Sequence, residues 1–324
     1  MKALVCKEFG PAKNLKVEEM NEPIPNSDEV CIKVHAAGVN FPDILMVEGK
    51  YQVKPAFPFA PGAEAAGEII SIGDNVTNYK VGQRVIAMTG HGAFAEIVKA
   101  SEKKLIPLND NVDFETASIL PMVYGTSAHA LIQRGKLKKD ETLLVHGAAG
   151  GVGLAAVEIG KAMGARVIAT ASTDEKCQVA RDHGADETIN YSNGQFKEIV
   201  KSMTDGKGAD VIYDPVGGDV FDQSLRCIAW EGRLLVVGFT SGRIPSAPAN
   251  LALLKSCDIV GVFWGAFVER TPHINLENFD KLYQWIDEGY IKPRISMKVS
   301  LENTLDAMQA IADRKIIGKA IVKI

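Results

Sequence analysis

Over the first 120 residues, apolar positions come in short runs (KALVCKEF, EVCIKVHAAGV, EAAGEIISIG, QRVIAM, GAFAEIVKA) separated by Gly and Pro clusters such as KPAFPFAPG. Runs of this kind bounded by turn residues predict strands, and several in succession predict an all-β unit of barrel type. From Leu143 the pattern changes. The runs LLVHGA, RVIATA, ETINY, DVIYDPV, RLLVVGF and IVGVFWG recur roughly 20–25 residues apart, and most of the gaps carry helical periodicity. Parallel strands need crossovers of about a dozen residues or more, usually helices, so this alternation predicts a doubly wound parallel sheet. Beyond Trp264, the residues Leu276, Phe279, Leu282, Tyr283 and Ile286 share one helical face. A second amphipathic helix is predicted from about Leu301 to Arg314, and the chain closes on the strand-like KAIVKI. That tail has no βαβ unit of its own. It is expected to rejoin the N-terminal unit and to leave the parallel-sheet unit as an insertion.

A length of 324 residues suits two domains, and 46% hydrophobic with 23% charged residues is the balance of an ordinary globular chain. Lys plus Arg less Asp plus Glu is 36 − 40 = −4, which provides no global field for a phosphate backbone and argues against nucleic acid. The opening MKALVCKEFG lacks the apolar core of a signal peptide, and no apolar run reaches the ~18 residues of a membrane span. A soluble, cytoplasmic protein without membrane association is therefore expected. Cys6, Cys31, Cys177, Cys227 and Cys257 are dispersed and odd in number, which fits neither a disulfide framework nor a Cys-rich zinc lobe.

The segment LLVHGAAGGVGLAAVEIGKAMGARVIATAS reads as strand, Gly-rich turn, helix and strand, the context a dinucleotide fingerprint requires. Gly147, Gly150, Gly151 and Gly153 permit a tight turn in which the Ala149–Gly153 backbone approaches a pyrophosphate, and the helix from about Val152 aims its positive end at that charge. A merely tight turn needs glycines too, but the strands on both sides and the repeats behind it favour a nucleotide. NAD-binding versions usually place an acid about 20 residues on, at the end of the second strand. Here that strand ends Thr170-Ala171-Ser172. Asp174 and Glu175 follow, but Ser172 to Glu175 also reads as a helix start with a capping box. Lys176 can reach a 2′-phosphate or stand as a solvated helix lysine. The missing acid, with the hydroxyl and lysine, favours NADPH over NADH.

Through HAAGVNFPDILMVEGKYQ, PFAPGAEAAGEI, VGQRV, GAFAE, YGTSAHAL, GAAGGVGLAA, INY, DVIYDPVGG and GRLLVVGF, the sequence resembles the zinc-free quinone oxidoreductases, including zeta-crystallin-like enzymes, of the medium-chain dehydrogenase/reductase superfamily. The resemblance implies an α/β protein with a GroES-like β-barrel catalytic domain (1–123), a doubly wound parallel-sheet (Rossmann) nucleotide domain of roughly residues 124–264 and a tail (265–324) that returns to the barrel. Alcohol dehydrogenase relatives hold zinc with a Cys after GV, a His in G-H-E and a later Cys. This chain has Asn40, Ala63 and Met122 there, none of which supplies a thiolate or imidazole, so no metal is expected.

Without a Lewis acid, developing negative charge on a substrate oxygen must be met by hydrogen bonds and shape, which suits hydride addition to quinones and α,β-unsaturated carbonyls. The resemblance implies that Asn40 lies near the nicotinamide and the substrate oxygen, with Tyr51 beside it as a hydrogen-bond donor. The bland alternatives are a loop Asn bonding its own backbone and a half-buried anchoring Tyr. Leu45 stands where some relatives carry a second tyrosine. Phe57 and Phe59 either floor a flat acceptor or belong to the core. The resemblance further implies cofactor contacts at Thr126, against a capping hydroxyl at a helix start, and at Tyr191, against ordinary strand burial. Backbone contacts with the nicotinamide are implied at Val237, Gly238 and Phe239 and at Phe263, Trp264 and Gly265, which close the last two strand ends. Arg314 reaches the 2′-phosphate or merely complements a helix end. Two other functions compete: a 2-enoyl-thioester reductase, and an NADPH-binding structural or RNA-binding protein. A homodimer is expected from the family and from the apolar strands LLVVGF and IVGVFWG.

Overall fold

The computed structural model describes residues 1–192 and 194–324. The chain forms two compact units, one of Met1–Met122 with Pro293–Ile324 and one of Val123–Lys292.

In chain order, the first unit contains β1 (Lys2–Val5), β2 (Lys16–Glu19), β3 (Glu29–Val39), α1 (Phe41–Val47), β4 (Glu64–Ile72), β5 (Arg84–Met88), β6 (Ile97–Ser101), β7 (Leu105–Pro107) and α2 (Phe114–Ala117). The long β3 is its spine. It pairs antiparallel with β4 and β6, and β5 and β7 continue the sheet beyond β4. Val30, Ile32, Val34, Ile69, Val85 and Phe94 are buried together in a core that the pleat builds from alternate strand positions. β3 ends at Val39, and Asn40, still extended (φ −131°, ψ 154°), is the N-cap of α1. Asp43 Oδ2 accepts from Asn40 N–H at 2.8 Å there, half of a capping box, and Asp43 N–H donates to Asn40 O at 3.1 Å, with Pro42 in the first turn.

A helical run leads from the first unit into the second, with Leu120–Gly125 and His129–Arg134 as π-helical turns flanking α3 (Thr126–Ala128). Then β8 (Thr142–Val145), α4 (Gly151–Ala162), β9 (Arg166–Ala171), α5 (Asp174–Asp182), β10 (Glu187–Asn190), α6 (Lys197–Met203), β11 (Ala209–Asp214), α7 (Gly218–Cys227), β12 (Ile228–Val236), α8 (Ala249–Lys255), β13 (Asp258–Gly261), α9 (Trp264–Arg270) and α10 (Pro272–Asp287) follow. Its strands are parallel in the order β10-β9-β8-β11-β12-β13, the doubly wound sheet the alternation predicted. The order reverses between β8 and β11, which is where such sheets open a ligand crevice at their carboxyl ends. The predicted runs of this unit each contain a strand.

From Pro293 the chain re-enters the first unit as β14 (Ile295–Ser300), α11 (Thr304–Ala312) and β15 (Lys319–Lys323). The closing KAIVKI is thus a strand, and β15 inserts between β14 and β3. Three details differ from the sequence reading. First, β2, β7 and β14 were not foreseen: β2 and β7 are only four and three residues long, whereas β14 (ISMKVS) does alternate apolar and polar residues, a strand signal the sequence reading missed. Second, IVGVFWG is not one strand: β13 ends at Gly261, and Phe263 leads into α9. The buried Trp264 donates its indole N–H to Asn275 Oδ1 at 3.1 Å, and a Cβ on Gly125 would come within 2.7 Å of its ring. An apolar run alone cannot tell a strand end from a helix start. Third, residues 265–292 stay with the second unit, and the return starts at 293. The apolar face of α10 finds its partners there. Phe279, Leu282 and Tyr283 are buried, Gln133 Nε2 donates to Asn278 Oδ1 at 2.9 Å, and Lys292 N–H donates to Glu158 Oε1 at 3.1 Å.

Candidate active site

The crest of the second unit is built by the turn between β8 and α4. Gly147 adopts φ +57°, which glycine takes without strain. A Cβ on Gly153 would lie 2.2 Å from the Gly147 carbonyl oxygen, so this position has no room for a side chain. Gly150, the N-cap of α4, brings no capping side chain to the first turn, and a Cβ there would meet only the Gly147 oxygen, at 3.4 Å. The turn is therefore a cradle bounded by Ala149, Gly150, Gly151, Val152 and Gly153, with the helix dipole behind it. His146 anchors the turn from below. Ser224 Oγ donates to Val220 O, so it accepts from His146 Nε2, and Thr170 Oγ1 then donates to Nδ1 (2.8 and 2.9 Å). Burial pushes the His146 pKa down to about 3, which keeps the ring neutral.

The end of β9 lacks an acid, as the sequence reading held, but the capping differs. Thr173 rather than Ser172 caps α5, its hydroxyl accepting from Lys176 N–H at 3.2 Å, because Thr173 is the residue with extended backbone (φ −146°, ψ 159°). Ser172 is thereby left outside the helix. Asp174 Oδ1 accepts from Asn190 Nδ2 at 2.7 Å, so this carboxylate already serves the neighbouring strand end. Lys176 and Tyr191 are half-buried on the same side of the unit, Tyr191 packing against the core around Ile168 and Ile189. At the next strand ends, buried Asp214 Oδ1 accepts from Val216 N–H (2.8 Å) and Gly217 N–H (2.9 Å). Its main-chain oxygen accepts from Val237 N–H at 3.0 Å, which fixes Val237, Gly238 and Phe239 beside the turn after β11. Thr126 does not start a helix: Gly125 before it is already helical (φ −59°, ψ −45°), so the Thr126 hydroxyl is not a cap. Phe263 is 74% exposed and Gly265 is exposed, whereas the Trp264 side chain points inward. Arg314, at φ +56° just past α11, belongs to the first unit.

The first unit holds a different kind of site, a buried polar cluster. Asn40 is 7% exposed, and Asp43 and Glu64 are fully buried. Lys319 Nζ donates to Asn40 Oδ1 (2.6 Å), Val39 O (3.0 Å) and Glu64 Oε1 (3.2 Å). Asn40 Nδ2 donates to Glu64 Oε1 at 2.8 Å and makes a longer contact of 3.4 Å with Gly38 O. Glu64 Oε2 accepts from Met122 N–H at 2.8 Å. Asp43 Oδ2 accepts from Asn40 N–H at 2.8 Å, while Oδ1 has no hydrogen-bond partner among the described residues. Burial pushes the Asp43 carboxyl up to about 7, against the pull of the Asn40 amide and the Lys319 ammonium. Tyr51 is half-buried on the same core, and burial together with the Asp43 charge raises its phenol. Tyr51 thus packs on the core to which Val39 and Ile44, the residues flanking the Asn40–Asp43 stretch, also belong. Phe59 is buried, while Phe57 is 43% exposed and packs edge-on to Phe9 at 4.6 Å.

The sequence reading missed Asp43, Glu64 and Lys319 as site residues. Asp43 was legible as the third residue after Asn40 in a capping box. Glu64, an acid among small apolar residues in GAEAAGEI, and Lys319, which strand alternation sets on one face with Ile321, gave weaker signals, because only burial distinguishes them from surface charges.

A barrel-type unit completed by the C-terminal strand, together with a doubly wound unit bearing a glycine cradle, defines a dehydrogenase/reductase of the medium-chain type. Residues 26–110 match the alcohol dehydrogenase GroES-like domain and residues 151–283 the family described as zinc-binding dehydrogenase. A quinone oxidoreductase-like protein 2 homolog from Nematostella vectensis is 40% identical over 325 residues, covering 99% of this chain and 88% of its own. Among solved structures, a quinone oxidoreductase of Pseudomonas syringae is 31% identical with a TM-score of 0.92, covering 100% of this chain and 99% of that one. The Escherichia coli quinone oxidoreductase complexed with NADPH is 28% identical with a TM-score of 0.92, covering 100% of both chains. The chain belongs to the quinone oxidoreductase family of the medium-chain dehydrogenase/reductase superfamily. No helix among the described residues is long and apolar enough to cross a membrane.

Proposed function

We propose that this protein is an NADPH-dependent reductase of quinones and α,β-unsaturated carbonyls that works without a metal ion. The observation that carries the reading is the cluster in the first unit. At the positions of the metal ligands in alcohol dehydrogenase relatives it has an amide, a methyl group and a thioether, and Lys319 already occupies Asn40 Oδ1 and Glu64 Oε1. A cation-filled site of this kind suits an acceptor reactive enough to take hydride without a Lewis acid.

In the second unit, the Ala149–Gly153 cradle suits a pyrophosphate, and the backbone at Val237–Phe239 and Phe263–Gly265 suits the nicotinamide end. The strand end at Ser172, with Asp174 committed to Asn190 and with Lys176 nearby, suits a 2′-phosphate better than a bare ribose. When bound, NADPH supplies the hydride. The first unit supplies hydrogen bonds as charge gathers on the acceptor oxygen. Tyr51 is the donor best suited to that role, since its hydroxyl makes no protein hydrogen bond among the described residues; Asn40 contributes through the Nδ2 hydrogen held only by the long contact with Gly38 O. A homodimer is part of this reading. It is supported by the exposed edge strand β13 with Ile259 and by Leu253, Leu254 and Trp230 around it, all exposed.

The test measures NADPH and NADH oxidation with a small quinone, a polycyclic ortho-quinone, a 2-enal and a short 2-enoyl thioester, on the wild type and on Tyr51→Phe. The expected result is at least about tenfold preference for NADPH and quinone or enal turnover above thioester turnover. Tyr51→Phe should lower kcat by roughly tenfold to a hundredfold, more for the enal than the quinone, because the enolate is the poorer anion. Turnover of the thioester alone, or none with any acceptor, would overturn the reading.

A further inference from the structure

Three stretches of the first unit, at Asn40, at Ala63–Glu64 and at Met122, are tied together by just two side chains. Lys319 uses its three N–H donors on Val39 O, Asn40 Oδ1 and Glu64 Oε1, and the other oxygen of Glu64 holds Met122 N–H. The register of β15 against β3 pairs Ala320 with Val39, which is why the neighbouring Lys319 emerges beside Asn40. An ammonium has donors only and a carboxylate acceptors only. The Asn40 amide is therefore held in one orientation, oxygen to Lys319 and nitrogen to Glu64, and a flip would break both bonds. From there the order passes along α1. Asn40 N–H bonds Asp43 Oδ2, Asn40 caps the helix, and Lys50 N–H bonds Leu45 O just before Tyr51.

We propose that Lys319 is a positioning residue for the reduction. Paired with Glu64, it locks the Asn40 amide and the start of α1, and so sets the segment that carries Tyr51, cross-linking by ion pair the chain stretches that a bound metal would otherwise hold. This deepens the reductase reading and rests on it. Glu64 and Lys319 have side-chain exposures of 0% and 6%, so the pair is shielded from the solvent that normally weakens such interactions.

The test uses Lys319→Met, which strands Glu64 without its cation and is expected to lower Tm, and the double variant Lys319→Met/Glu64→Gln, which removes the stranded charge. The double variant is expected to regain most of the lost Tm and to keep NADPH affinity within about twofold of the wild type. Its kcat with a 2-enal should nevertheless stay at least about tenfold low, with a smaller loss for a quinone. If kcat recovers with Tm, Lys319 is scaffold only and the proposal falls. A wild type that turns over no acceptor overturns the reductase reading and the positioning role with it, whereas a double variant with wild-type kcat overturns the positioning role alone.

Discussion

Asp43 sits fully buried at the third position of α1, one carboxylate oxygen bonded to Asn40 N–H and the other without a partner among the described residues. Burial raises its carboxyl to about 7, against roughly 4 in an unfolded chain. The folded state therefore binds the proton more tightly. Its stabilising contribution is complete below about pH 4 and is lost as pH rises through about 7. Asp43→Asn keeps the acceptor for Asn40 N–H and removes the buried charge, so it should raise stability by a few kcal/mol near pH 8 and by almost nothing near pH 4. Denaturant unfolding at both pH values checks this. A difference between the two proteins that does not change with pH would contradict the assignment.

At the scale of elements, the β8–α4 turn separates two glycines by what surrounds them. A Cβ on Gly153 would collide with the Gly147 carbonyl at 2.2 Å, so Gly153→Ala should disturb the fold and the cofactor together. Gly150 has φ −80° and room for a methyl group, so Gly150→Ala should leave Tm nearly unchanged while filling the cradle. Weakening of NADPH binding by about tenfold in Gly150→Ala, read by fluorescence titration beside a melting curve, is expected. Unchanged affinity would place the pyrophosphate elsewhere. Further along α4, buried Glu158 accepts from Tyr124 OH at 2.7 Å and hydrogen-bonds His183 Nδ1 at 2.6 Å, which seats the helix.

On the scale of the whole molecule, the sheet of the second unit ends in β13, an edge strand with Ile259 exposed, and Leu253 and Leu254 of α8 are 80% and 66% exposed. Edges of this kind aggregate unless something covers them, and a two-fold axis lets a second copy do so. Light scattering should report about twice 34.9 kDa, and Ile259→Lys should shift the species toward the single chain. A wild-type monomer at micromolar concentration would count against the dimer.

The strand runs of the parallel sheet, the glycine turn, the acid-free end of β9 and the absence of thiolate or imidazole at positions 40, 63 and 122 were all determined by the sequence alone. Each is a matter of residue type at fixed local spacing, and local spacing survives in a one-dimensional reading. Tertiary structure decided what depended on partners distant in the chain. The apolar face of α10 could have packed in either unit, and Gln133, Trp264 and Glu158 drew residues 265–292 into the second. The stretch from Ser172 to Glu175 read as a capping box opened by Ser172, and the folded backbone made Thr173 the cap instead. Above all, Glu64 and Lys319 lie 255 residues apart and read as surface charges until β15 inserts beside β3 and buries them against Asn40. Burial is a property of the assembled sheet, and only burial turns that acid and that lysine into a pair that can hold an amide in place.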